Sequence, residues 1–153
     1  MRSHDHAEIM LPGKSERRRR GAVLVEAALV LPLVLLVTFG LIEFGHYYYM
    51  QHNMKAAAQA GARVWARAGT SVNTDVTTAI NGVLNPVGVP TSKYVATYKV
   101  NGSASSVGTA VAGDTIEVEL ESDWGGSNGI GARPMGILDA NRKVRAIAIT
   151  QKE

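Results

Sequence analysis

Sixteen consecutive residues, Ala27–Ile42, carry no charge and are dominated by Leu and Val, and four arginines, Arg17–Arg20, stand just before them. No other feature of the chain restricts its fold as much. Counted from Ala22, the apolar run is 21 residues long and only Glu26 interrupts it. Roughly 20 apolar residues cover the hydrocarbon of a bilayer, about 30 Å thick, so residues 22–45 are expected to form a transmembrane helix. The competing reading is a buried helix of a soluble core, but a small core has no use for an apolar helix led by a run of arginines. Lys and Arg beside a span stay in the cytoplasm. The expected topology is therefore a single pass through the inner (cytoplasmic) membrane, with the N-terminus cytoplasmic and the C-terminus periplasmic or extracellular. The far flank holds Phe44, Tyr47, Tyr48 and Tyr49, and aromatic rings with a polar tip suit the membrane–water boundary. Pro32 lies inside the span, where neighbouring helices and local adjustments can re-satisfy the freed carbonyl.

The formal net charge of +3 belongs to one end of the chain. Residues 1–21 hold six basic and three acidic side chains, and the remainder holds ten of each sign. The basic balance thus describes a short leader and gives no reason to expect nucleic-acid binding. The chain has no cysteine, which excludes disulfides, thiolate metal sites and a thiol nucleophile. Hydrophobic residues at 46% and charged residues at 19% exclude a collagen or a fully disordered chain, and fit either a globular or an anchored protein.

Four segments follow from the patterning. Residues 1–21 are polar, hold Pro12 and Gly13, and form a basic leader with no hydrophobic period, expected to be flexible. The span, 22–45, comes next. Residues 46–69 continue the helix outside the membrane, because Tyr47, Met50, Met54, Ala57, Gly61, Val64 and Ala68 recur at spacings of three and four. Residues 70–153 form a small α+β domain that covers this helix. In it Asp75–Leu84 is a short helix, and Lys93–Val100, Thr115–Glu121 and Lys143–Thr150 are strands. Ile116, Val118 and Leu120 face inward, and Glu117, Glu119 and Glu121 face outward. Asn101-Gly102 signals a turn, and the glycine-rich stretch 124–136 a loop. The expected fold class is thus α+β and membrane-anchored: a long N-terminal helix, first transmembrane and then periplasmic, packed on an antiparallel sheet of about three strands.

Arg17-Arg18-Arg19-Arg20-Gly21-Ala22-Val23-Leu24-Val25-Glu26 places a basic run, a glycine and the start of an apolar helix in direct succession, with one carboxylate five residues past the glycine. This resembles the processing site of type IV prepilins, which a membrane aspartyl peptidase cuts after the glycine on the cytoplasmic side. The residue after the glutamate is usually aromatic in that class and is Ala27 here. Together with Ala27-Ala28-Leu29-Val30-Leu31-Pro32, Ile42-Glu43-Phe44-Gly45 and Ala57-Ala58-Gln59-Ala60-Gly61-Ala62-Arg63, the segment is similar to the TadE-like minor pilins (pseudopilins) of the Tad, or Flp, tight-adherence pilus. The likeness is specific over about residues 17–68 and loose beyond them. The resemblance implies a pilin-like fold, cleavage between Gly21 and Ala22, recognition through Arg19, Arg20 and Glu26, and a role in pilus assembly and surface adherence. It implies as partners a prepilin peptidase, other Tad pilins, the inner-membrane assembly platform and membrane lipid, with no nucleic acid and no cofactor.

Cleavage would leave Ala22 with an ammonium of α-amino pKa about 7.7–8.0 in the reference state, mostly charged at neutral pH. Glu26 then lies about one helical turn into the apolar layer, where an ionisable group is a functional hypothesis by default. Its expected role is to pair with the Ala22 ammonium of a neighbouring subunit, and the alternative is that it snorkels to the headgroups. Glu43, near the outer boundary, is expected to be a solvated boundary residue, with a partner helix as the alternative contact. Gly61 and the small residues around it form either a helix–helix docking surface or, preferably, a surface against the chain's own sheet. Pro32, Glu43 and Gly61 are therefore the candidate helix-packing positions.

No catalytic or metal-binding constellation stands out, and the chain is read as not an enzyme. His4-Asp5-His6 lies in the leader without further ligands. The glycine-rich loop lacks the Lys-Ser/Thr ending of a phosphate-binding loop. Rival readings of the N-terminal region are an uncleaved, permanently anchored envelope or assembly scaffold protein, and a secreted domain released by signal peptidase. The second requires a small-x-small cleavage site that Thr38-Phe39-Gly40 and Phe44-Gly45-His46 supply poorly.

Overall fold

A computed structural model describes residues 14–67, 69 and 73–153. The chain divides into two compact units, Met1–Thr38 and Phe39–Glu153.

Helix α1, Lys14–Ala66, runs through 53 residues and contains Pro32 without a break. It begins earlier than the leader's composition led us to expect. Lys14–Arg20 is helical, because Lys, Glu and Arg are strong helix formers and the apolar helix that follows lets the first turns propagate at little cost. Residues 1–13, with His4 and His6, lie outside the described residues. Among the described residues one helix, Gly21–Ala66, is long and apolar enough to cross a membrane, with a mean hydropathy of 2.6 over its best window.

In the unit Phe39–Glu153, α1 supplies one face of the core through Tyr47, Met50, Met54, Ala57, Ala58, Ala62, Trp65 and Ala66. The expected stripe holds as far as Gly61 and then turns. Trp65 is fully buried, whereas Val64 is half-buried. Ala68 lies outside the described residues. Helix α2, Asn73–Leu84, buries Val76, Ile80 and Leu84, which lie four residues apart on one face.

The sheet has four strands in the order β2-β1-β3-β4, all antiparallel. They are β1, Val95–Val100; β2, Ser103–Ala104; β3, Thr115–Asp123; and β4, Lys143–Gln151. The two-residue β2 was not foreseen, since so short an edge leaves no alternation to read. Asn101 and Gly102 both have positive φ, 50° and 81°, and link β1 to β2 as a two-residue hairpin turn. Ile116, Val118 and Leu120 on β3 point into the core as expected, and Val144, Ala146 and Ala148 on β4 join them. Lys93, read as the start of a strand, instead ends a short 3₁₀ turn, Thr91–Lys93.

The outer face of the sheet departs from simple alternation. Glu119 points away from the core yet is buried. Lys99 Nζ lies 2.9 Å from its Oε2 and 2.8 Å from Glu117 Oε1, and Arg145 pairs with its other oxygen. The Arg145 hydrogen bond, followed by that of Lys99, draws the Glu119 carboxyl down to about 2.

Candidate functional site

Five of the residues singled out by the sequence lie together on the first part of α1. Arg19, Arg20, Gly21, Ala22 and Glu26 fall on consecutive helical turns. Gly21, Ala22, Glu26 and Pro32 are exposed, as is every residue from Gly21 to Phe39. A Cβ added at Gly21 would meet nothing within 4 Å, so no side chain packs on the helix at that point. This surface combines an unpacked glycine, an apolar helix with no cover of its own, and a single carboxylate. Such a helix has to find its cover in lipid or in other helices.

Glu43 and Gly61 lie in the second unit, and both depart from expectation. Glu43 is fully buried rather than solvated. Its Oε1 accepts the backbone N–H of Leu138 at 2.7 Å and its Oε2 that of Met135 at 3.4 Å. The loop that donates these bonds is 95 positions away in sequence, so no local pattern announced it. Arg133 closes the same loop, donating from Nε and Nη2 to the Leu138 carbonyl at 3.0 and 2.7 Å. The carboxylate thus satisfies the Leu138 donor, which would otherwise be buried without a partner.

Gly61 packs within its own chain, but against α2 rather than the sheet. A Cβ there would sit 2.9 Å from Ile80 Cγ1 and 3.3 Å from Val76 Cγ1. The missing side chain is what lets the two helices approach.

The aromatic flank divides in two. Tyr47 belongs to the core, edge-on to Trp124 with ring centroids 5.1 Å apart, and Arg142 lies 4.8 Å over its ring. Tyr48 and Tyr49 stay exposed. Trp124 is fully buried, and a Cβ at Gly131 would meet its ring at 2.4 Å. The glycine-rich loop is therefore a wrapping around Trp124. The far end of α1 is sealed by Lys152, a residue the sequence did not single out. Its Nζ donates to the Trp65 carbonyl at 2.8 Å and to the Arg67 carbonyl, and the Glu153 N–H donates to the Ala66 carbonyl at 2.8 Å. A buried ammonium on the last carbonyls of a helix suits its negative end. Among the described residues, no group of three or more His, Asp or Glu is arranged to hold a metal ion.

Residues 21–63 match the family described as TadE-like protein. Over this stretch the chain is similar to TadE-like proteins. The match begins at the glycine that follows the arginines and ends within the last turn of α1. It covers Gly21, Ala22, Glu26, Pro32, Glu43 and Gly61 but not Arg19 and Arg20, and α2 and the sheet lie beyond it. No curated protein and no solved structure matches the chain.

Proposed function

We propose that this protein is a minor pilin, or pseudopilin, of a Tad-type pilus. It is anchored by residues 22–45 in the inner membrane, with its N-terminus cytoplasmic and the α+β domain outside. A prepilin peptidase cleaves it between Gly21 and Ala22. The observation that carries this reading is the TadE-like match starting at Gly21, on an α1 surface that is apolar and exposed.

In this reading the chain performs no chemistry of its own and takes no cofactor. Arg19 and Arg20 hold the scissile bond at the cytoplasmic face. After cleavage the Glu26 carboxylate pairs with the Ala22 ammonium of a neighbouring pilin, an ion pair made in lipid and therefore selective for correct stagger. The other partners are the inner-membrane assembly platform and the bilayer, and the outcome is a pilus that supports surface adherence.

Deletion in the native host with plasmid complementation tests this. The wild-type chain is expected to restore piliation and surface attachment, and Glu26→Ala to insert in the membrane without restoring them. Normal pili in the deletion strain would sink the reading. Normal pili from Glu26→Ala would remove the role given to that carboxylate.

A further inference from the structure

The loop Arg133–Leu138 is built in a way that soluble loops rarely are. Met135 and Ile137 are 47% and 46% exposed. They stand beside the last apolar turns of α1, where Phe39, Leu41, Ile42 and Phe44 are also exposed. Ile137 Cδ1 lies 3.4 Å from the point a Cβ on Gly40 would occupy, so the loop rests directly on the helix. Part of its polar backbone is turned inward. Pro134 has no N–H. The N–H groups of Met135 and Leu138 go to Glu43, and the Leu138 carbonyl takes both Arg133 bonds.

Water-facing loops have no need to satisfy their backbone internally, since solvent does it. Lipid does not, and irregular backbone at membrane depth survives only where protein satisfies it. Apolar side chains outward, with the Met135 and Leu138 N–H groups and the Leu138 carbonyl held by protein, suit the headgroup–acyl boundary of a bilayer. The patch meets α1 at Gly40, through Ile137. Arg133 is half-buried.

We infer that the Arg133–Leu138 loop, pinned by Glu43, is a second membrane contact, which inserts Met135 and Ile137 into the outer-leaflet headgroup–acyl boundary beside the span. The occupant is lipid. The inference rests on the membrane-anchored reading above and extends it to a part of the chain outside the TadE-like match. Its mechanical effect is to fix the tilt of the outer domain on the bilayer, since two contacts define an orientation where a single helix leaves it free.

The absence of cysteine makes the test clean. Three single-cysteine variants of the full chain, Leu35→Cys, Ile137→Cys and Ser103→Cys, are each labelled with an environment-sensitive fluorophore. They are reconstituted in phosphatidylcholine–phosphatidylglycerol vesicles carrying doxyl spin-labelled lipid as quencher. All three positions are exposed. Ser103 borders the Asn101-Gly102 turn, which reaches Lys152 through Asp114 and so lies at the Trp65 end of α1, away from Glu43. The expected result is a blue shift and loss of fluorescence at 35 and 137, with position 103 unchanged. Quenching at 35 with none at 137 would overturn the inference and leave the span standing. A blue shift at 137 without lipid quenching would mean that protein covers the loop, and would also overturn it. No quenching at 35 would remove the membrane-anchored reading itself, and the inference with it.

Discussion

Glu43 on α1 and Leu138 on the loop before β4 are joined by a 2.7 Å hydrogen bond from backbone N–H to buried carboxylate. The bond ties the end of the apolar run to the loop before β4. Replacing Glu43 by alanine removes the acceptor and strands the buried Leu138 donor, which costs more than losing an average hydrogen bond. Glu43→Ala is expected to lower the melting temperature of the full chain in detergent by several degrees. Glu43→Gln retains one oxygen and should lower it less. Equal, small effects would mean that the loop is not pinned there.

Gly61 and Gly82 give opposite expectations for the same substitution. An alanine at Gly61 gains helix propensity of up to ~1 kcal/mol but drives its Cβ to 2.9 Å from Ile80, a fully buried side chain with little room to yield. The net effect should be destabilisation of about 1–2 kcal/mol. At Gly82, in α2, a Cβ meets nothing within 4 Å, so Gly82→Ala should stabilise by roughly 0.5–1 kcal/mol. Chemical denaturation of both variants checks the pair.

Local periodicity explains which parts of this fold were legible in the residues. Ile116, Val118 and Leu120 alternate within one strand, and Val76, Ile80 and Leu84 repeat within one helix, so each element declares its own buried face. The apolar helix and its arginines are legible for the same reason. Glu43, Glu119 and Lys152 are not. Each is a charged residue whose burial is decided by groups far away in sequence: the Leu138 amide, the Arg145 and Lys99 cations, and the carbonyls at the end of α1. Residue type alone assigns such side chains to solvent. Trp65 was missed for a smaller reason, because the chosen stripe stepped through Val64 one position before it.

Glu119 makes stability depend on acidity. Its carboxyl is lowered to about 2 in the folded chain by Arg145 and Lys99, whereas an unfolded glutamate titrates near 4.3, give or take about a unit. A depressed folded value means that the contribution is fully present above the unfolded pKa and is lost as pH falls through the folded one. The difference in melting temperature between wild type and Glu119→Gln should therefore be constant at neutral pH, shrink below about pH 4 and vanish near pH 2. A difference independent of pH across that range would contradict the ion-pair account.

Lys152 should matter through its charge and not only its stem. Lys152→Met keeps the aliphatic packing and removes the donor to the Trp65 and Arg67 carbonyls. A loss of about 1–2 kcal/mol is expected. Hydrogen exchange would localise it, with protection falling first in the last turn of α1. Unchanged exchange there would show that the carbonyls find other partners.

The most direct measurement is the intact mass of the protein recovered from the membranes of its native host, with sequencing of its N-terminus. A chain starting at Ala22 is the predicted result, and it makes the Gly21–Ala22 bond a peptidase site and the Ala22 ammonium available to Glu26. A chain that keeps its first 21 residues would contradict the account and describe a permanent anchor. A start near residue 45 would contradict both membrane readings and describe a secreted domain.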